Sequence, residues 1–549
     1  MKPLPKNLHL NDHTASLKRC LSLFDLICYG VGCSVGAGVY SLIGIGASIT
    51  GPSISISFLV SGIACIFTSL TYSEFAARVP ITGSAYSFVY VTFGELAAWL
   101  IGWNLMLGYG ISAAGIARSW ASYVVIFMRQ WNIQIPHEWI TVDVWGMSCS
   151  AMAAALIVVL SVILLAGVHE SAKFNMVVTG LNVAVLVLVI AVGSTQVDVA
   201  NWEPFAPEGV HGVMQGAGVI FFAYLGFDMV ACLAEEVPDP QTNVPRGIIG
   251  SLLISMSIYI GVSLVVTGMA PVAVLGTDVP IVNAFDYQHL PWVSHVVSFG
   301  SMFGLTTAAF TCLMGQPRIF YQMSKDGLLP ECLSAVHAST QVPYWSTVLT
   351  GVGVAAFAFF FDLNVLANVI SCGTLMVFTF VNAGLLVLRF DTTTSTSTST
   401  TSHLHMLSTT AFPVRLLSFV VSSFATCLAI NVDLPTSVQL ALGSTVLLTY
   451  WWIHNGTLHP VCSTTVFVCP WVPAVPCLGI FSNTYMMTSL PLLAWYHLLS
   501  ITNYLTRYHQ LLDTTGVAMW MGVGIFLYGC YGVHHSKLGD NEEESQPLI

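Results

Sequence analysis

The sequence predicts an all-α polytopic membrane protein with about fourteen spans, and three observations predict it. Only 7% of the 549 residues are charged, while 55% are hydrophobic. Several stretches without one charged side chain exceed the ~20 residues that a helix needs to cross a bilayer. The basic residues, placed on that set of spans, gather on one side. A soluble domain carries roughly 25% charged residues. A chain this poor in charge cannot cover its surface with polar groups, so lipid is its solvent.

The charge-free stretches are 147–168, 174–197, 247–277, 342–361, 363–388 and 434–506. The last contains Pro460, Pro470, Pro473 and Pro476 and divides into two helices. With the less clean segments added, the spans are 22–48, 53–77, 88–127, 147–167, 173–195, 212–236, 247–270, 293–323, 343–361, 364–388, 414–431, 435–455, 473–497 and 515–534. With the N-terminus in the cytosol, the cytosolic side receives Lys2, Lys6, Lys18, Arg19, Arg78, Lys173, Arg246, Arg318, Lys325, Arg389, Arg415 and Lys537. Only Arg129 and Arg507 face the other side, and Arg118 lies within the third span. Both termini are therefore expected in the cytosol.

The segments divide into a cytosolic N-terminus (1–21), a ten-helix core (22–389), a low-complexity cytosolic loop (390–413), four further helices (414–535) and an acidic tail (536–549). The loop carries the run TTTSTSTSTTS. The net charge of −11 says little about partners, since much of it sits in tail and loops. There is no basic run, and no nucleic-acid partner is expected. The fourteen cysteines are scattered, with no spacing that resembles a zinc site, and read as small buried hydrophobes. No metal or cofactor is expected.

The first span contains Gly30, Gly32, Gly36 and Gly38. One reading is close helix packing through small faces. The other is a broken helix whose freed N–H and C=O groups bind a ligand at mid-membrane. Amides at a half-helix N-terminus suit a carboxylate, and carbonyls suit an ammonium. An amino acid presents both. The sixth span has a second candidate break at Gly226, beside Asp228. A carboxylate inside a span costs ~2.5–3.5 kcal/mol on insertion scales and marks function by default. Its other reading is a cap for the resumed half-helix, and the two roles can coexist. Breaks near 36–38 and 224–226 fit an inverted five-plus-five repeat by position.

The chain resembles the cationic amino-acid transporter family of the amino acid–polyamine–organocation superfamily. The resemblance rests on GVGCSVGAGVY at 30–40, on the stretch YSEFAARVPITGSAYSFVYVTFGELAAWLIGWNL at 72–105 and on FFAYLGFDMVACLAEEVPDPQTNVPRGI at 221–248. PRIFYQMSKDGLLP at 317–330 and WVPAVPCLGIFSNTYMM at 471–487 extend it. It implies a LeuT-like fold with four additional C-terminal helices, and a binding site among helices 1, 3, 6 and 8. It implies further that the first-helix break around Gly36 holds a substrate carboxylate on the amides of Ala37 and Gly38. Carbonyls near Ser34, Phe222 and Leu225, beside Tyr224, would hold the ammonium. Asp228 matches a recurrent acidic position, and Thr311 and Cys312 fall where the eighth helix limits side-chain space. A leucine at Gly38 is then expected to block binding and leave much of the fold intact. Two departures stand out: Asn182 replaces a fifth-helix lysine of proton-coupled relatives, and Gly108 a third-helix carboxylate.

The implied function is facilitated transport of cationic amino acids such as arginine, lysine and ornithine. A carrier of neutral or other small amino acids on the same fold is the alternative, as is a non-transporting sensor. No nucleotide loop or nucleophile motif suggests an enzyme. The tail ends EEESQPLI. Glu544 followed by Leu548 and Ile549 fits an acidic dileucine signal read by clathrin adaptors. The expected address is an endolysosomal or vacuolar membrane, with the plasma membrane as the alternative.

Overall fold

The computed structural model describes residues 19–40, 42–133, 142–144, 147–276, 279–337, 340–360, 363–391, 402–455, 467–490 and 522–536. Most of the Thr/Ser linker lies outside these residues, as do Glu544, Leu548 and Ile549 of the tail. Helices dominate. The strands among the described residues form one short hairpin, Val142–Val144 against Met147–Cys149.

A helix falls in each of the fourteen stretches read as spans. Among the described residues, nine helical stretches are long and apolar enough to cross a membrane. Ala151–Leu165, Tyr344–Phe360 and Gly522–Gly532 are apolar but shorter. Large side chains such as Val162, Val177, Leu447 and Phe526 point outward. An outward apolar face is what lipid as solvent requires.

Three boundaries differ from the sequence reading. The third span does not start at 88. A separate helix, Ala85–Phe93, ends at Gly94, whose φ is +89°, and the long helix Glu95–Gln130 begins there. Positive φ is open to glycine at little steric cost, so the chain turns at that point. The fourth span starts after the hairpin, at Ala151, where the Ser150 hydroxyl accepts the Ala153 N–H. The thirteenth is the helix Ala474–Ser489, and residues 491–521 lie outside the described set.

The first and sixth spans are interrupted. The first opens with a capping box between Ser22 and Asp25, which satisfies two terminal donors reciprocally. It runs as Leu23–Ser34, breaks at Val35 and Gly36, and resumes as Ala37–Tyr40. The sixth runs as Gly209–Ile220, tightens into a 3₁₀ turn over Phe221–Tyr224, breaks at Leu225 and Gly226, and resumes at Phe227. Spans ten to thirteen share a second apolar cluster that includes Leu386, Phe412, Phe419 and Ile480. The thirteenth span also packs on the second, which joins the last helices to the core.

Candidate functional site

The two breaks meet. The Ser34 hydroxyl donates to the Leu225 carbonyl at 3.1 Å, which ties one break to the other. Glycine at 226 permits the approach. Its φ is +142°, and an added Cβ would lie 2.5 Å from Ser34 Oγ and 2.9 Å from the Gly30 carbonyl oxygen. The first break also seats on the eighth span, because a Cβ at Gly36 would stand 2.3 Å from the Ala308 Cβ. Small residues are needed at all three contacts.

Tyr259 of the seventh span clamps both interrupted helices. Its hydroxyl lies 2.6 Å from the Ala223 carbonyl and also within hydrogen-bond reach of the Ser34 carbonyl. Asn182 of the fifth span donates to the Val35 carbonyl and accepts from Tyr40 Oη at 2.6 Å. Tyr123 of the third span then donates to the Tyr40 carbonyl at 2.7 Å. An unwound backbone in a membrane must find partners for its freed groups. Here these three side chains supply several of them.

Asp228 is fully buried. Its carboxylate accepts the Gly226 N–H at 3.0 Å and the Tyr109 hydroxyl at 2.8 Å. Asp228 is not the N-cap of the resumed half-helix, which is Gly226; from the first turn its carboxylate reaches back to the Gly226 N–H, a donor left free by the break. Ser84 donates to the Asp228 carbonyl at 2.9 Å.

Ala37 and Gly38 open the resumed half of the first span, where N–H groups have no intrahelical acceptor. Gly38 packs on the sixth span, since an added Cβ would lie 2.7 Å from the Ala223 Cβ and 2.9 Å from Tyr259 Oη. Leucine at Gly38 would thus wedge the two spans apart, and its loss of function would not separate binding from packing. That corrects the expectation of an intact fold.

The Phe222 carbonyl accepts the Leu225 N–H at 3.1 Å. Tyr224 turns its side chain to the second span, donating to the Phe58 carbonyl at 2.6 Å, with its ring edge-on to Tyr259. On the eighth span, the Thr311 hydroxyl bonds back to its own helix, and the Thr311 carbonyl accepts from Tyr29 Oη at 2.9 Å. Cys312 Sγ stands 3.9 Å from Cys33 Sγ.

The structure thus joins Ser34, Leu225 and Gly226 directly, and Gly36, Cys33 and Gly38 to spans eight and six. Sequence reasoning missed Tyr259, Tyr109 and Tyr123. Each lies in a mostly apolar helix, and no local signal marks which acceptor its hydroxyl reaches.

Compared with known families, residues 21–458 match the family described as amino acid permease, and residues 467–505 match the C-terminal region described for such permeases. The chain is 40% identical to the methylthioribose transporter of Bacillus subtilis (strain 168), over 71% of this chain and 85% of that one. It is 36% identical to cationic amino acid transporter 9, chloroplastic, of Arabidopsis thaliana, over 87% of this chain and 85% of that one. It is 32% identical to cationic amino acid transporter 4, vacuolar, of the same plant, over 97% of this chain and 95% of that one.

Proposed function

The chain belongs to the amino acid permease family, and from that premise we propose that it carries cationic amino acids such as arginine, lysine and ornithine across a membrane by alternating access. The observation that carries the reading is the pair of facing breaks, joined by Ser34 Oγ and the Leu225 carbonyl. Such a pair offers unwound carbonyls for an ammonium and half-helix amides for a carboxylate, the two groups every amino acid presents. The breaks fall in the first and sixth spans, which supports a LeuT-like pair of five-helix inverted repeats followed by four further helices. Two relatives that match 87% and 97% of this chain are named for cationic amino acids, and this supports the substrate class.

A second reading, a carrier of neutral or other small solutes, draws on two observations. The Asp228 carboxylate already holds Tyr109 and Gly226. The third span offers Gly108, around which an added Cβ would find nothing within 4 Å among the described residues. No third-helix carboxylate stands there to meet a guanidinium. Uptake of labelled arginine by vesicles holding the purified protein, in competition with leucine and alanine, decides between the readings. Arginine uptake that leucine leaves untouched supports the first, and no arginine uptake overturns it.

The carrier is expected to follow membrane potential and substrate gradient and to need no proton gradient. Asn182 holds the first break through Val35, and an amide cannot titrate as a lysine can. A potassium diffusion potential, inside negative, should raise arginine uptake. An imposed pH gradient at zero potential should not. A strict requirement for the pH gradient would overturn this and point to Asp228.

The address proposed is a vacuolar or endolysosomal membrane. One relative over nearly the full length is named as vacuolar. Glu544, Leu548 and Ile549 would be read by a clathrin adaptor, with the plasma membrane as the default once they are lost. Replacing Leu548 and Ile549 by Ala should move a tagged protein to the cell surface. An unchanged distribution by microscopy would remove the sorting signal from the account.

A further inference from the structure

A cavity of about 540 Å³ lies between spans three, eight, nine and fourteen. Its walls include Trp99, Trp103, Phe320, Phe357 and Leu527. Among the described residues, no charged side chain and no histidine lines it. That volume falls within the ~300–1,000 Å³ of small-molecule sites, which pair apolar walls with few polar groups.

Two polar groups on these walls are unsatisfied. Gln316 is 7% exposed and Thr350 is 2% exposed. Gln316 Oε1 and Thr350 Oγ1 have no hydrogen-bond partner among the described residues. A buried acceptor or hydroxyl without a partner is costly, and an ordered water or a ligand is one way a native fold meets that cost. The Gln316 amide lies beside Gly110, where an added Cβ would stand 3.3 Å from Oε1. At Gly353 an added Cβ would meet nothing within 4 Å among the described residues, so this stretch of the ninth span faces open space.

We propose that this cavity binds one neutral, rigid, hydroxyl-bearing lipid, a membrane sterol. Its hydroxyl donates to Gln316 Oε1 and accepts from Thr350 Oγ1, while its ring system lies along the glycine-flattened walls. An anionic phospholipid or a fatty acid fits poorly, because no cation among the described residues faces the cavity to neutralise its charge. Trp99 lies near the start of the third span, and residues 328–333 follow the end of the eighth. On the orientation that the basic residues favour, the cavity therefore opens in the cytosolic half of the bilayer.

The same two helices reach the interrupted spans. Tyr109, next to Gly110, donates to Asp228. Arg318, two residues beyond Gln316, pairs with Glu236. A bound sterol would brace both helices from behind.

The test is photolabelling of the full chain in phosphatidylcholine vesicles with a diazirine- and alkyne-bearing cholesterol, read by peptide mass spectrometry. Label is expected on peptides of spans three, eight and nine, displaced by cholesterol but not by dioleoylglycerol or oleic acid. Gly353→Leu, which fills the open space, should abolish that label. Gln316→Leu should lower the apparent affinity by roughly tenfold, the worth of one hydrogen bond. Gly443→Leu, which lines a separate cavity between spans eleven, twelve and thirteen, serves as the control and should leave labelling unchanged. Labelling spread over lipid-facing helices and indifferent to Gly353→Leu would overturn the site. So would equal displacement by dioleoylglycerol, or a stable dimer that covers these spans and takes no label.

Discussion

Replacing Glu236 by glutamine is expected to lower stability by roughly 3–5 kcal/mol, the usual cost of breaking a buried ion pair from one side. Glu236 ends the sixth span and is fully buried. Its carboxylate holds Arg318 of the eighth span through two contacts, at 2.6 and 3.1 Å. Arg318 is itself 3% exposed. Glutamine keeps the shape and the backbone carbonyl, which accepts the Cys20 and Leu21 N–H groups. It removes the charge and leaves a guanidinium buried without its carboxylate. Thermal unfolding of the purified protein in one detergent would show the loss. The double variant Glu236→Met with Arg318→Met should recover most of it, because removing both charges removes the desolvation penalty. A single variant as stable as the parent would mean that water or another group already serves Arg318.

Gly226→Ala is expected to cut transport on the order of 100-fold, the scale at which about 1 Å of misplacement acts. Alanine at φ +142°, ψ −41° is strained by about 1–3 kcal/mol. Its methyl carbon would also sit 2.9 Å from both the Cys33 Cβ and the Gly30 carbonyl oxygen, and neither is a flexible chain end. The sixth span must then retreat from the first, and the bond from Ser34 Oγ to the Leu225 carbonyl lengthens. Initial uptake rates, normalised to protein in the vesicle by immunoblot, measure the effect. Uptake near the parental rate at equal protein would show that the breaks do not need this contact.

Much of the architecture was legible because hydropathy is a local property. The spans were read from charge-free length, and the broken helices from glycines set in apolar runs. The break in the first span, read at 36–38, lies at Val35 and Gly36, and Ala37 and Gly38 already belong to the resumed helix. The false start of the third span has a similar cause. Residues 88–93 are apolar and helical, and only the positive φ at Gly94 separates them from the helix that follows. Asp228 was legible as a costly buried carboxylate, but not as the partner of Tyr109, which lies 119 residues away.

The amino-acid sequence by itself determined the solvent, the stretches that become helices and where the backbone could unwind, since each follows from residues close together in the chain. Tertiary structure alone decided which groups satisfy the unwound backbone and which charges share a buried site. Tyr259 reaches the Ser34 carbonyl from 225 residues away, and Glu74 pairs with Arg389 across 315. In lipid every freed polar group must be matched inside the protein. The match is made by whichever side chain the packing of the helices brings within about 3 Å, and no pattern along the chain encodes that distance.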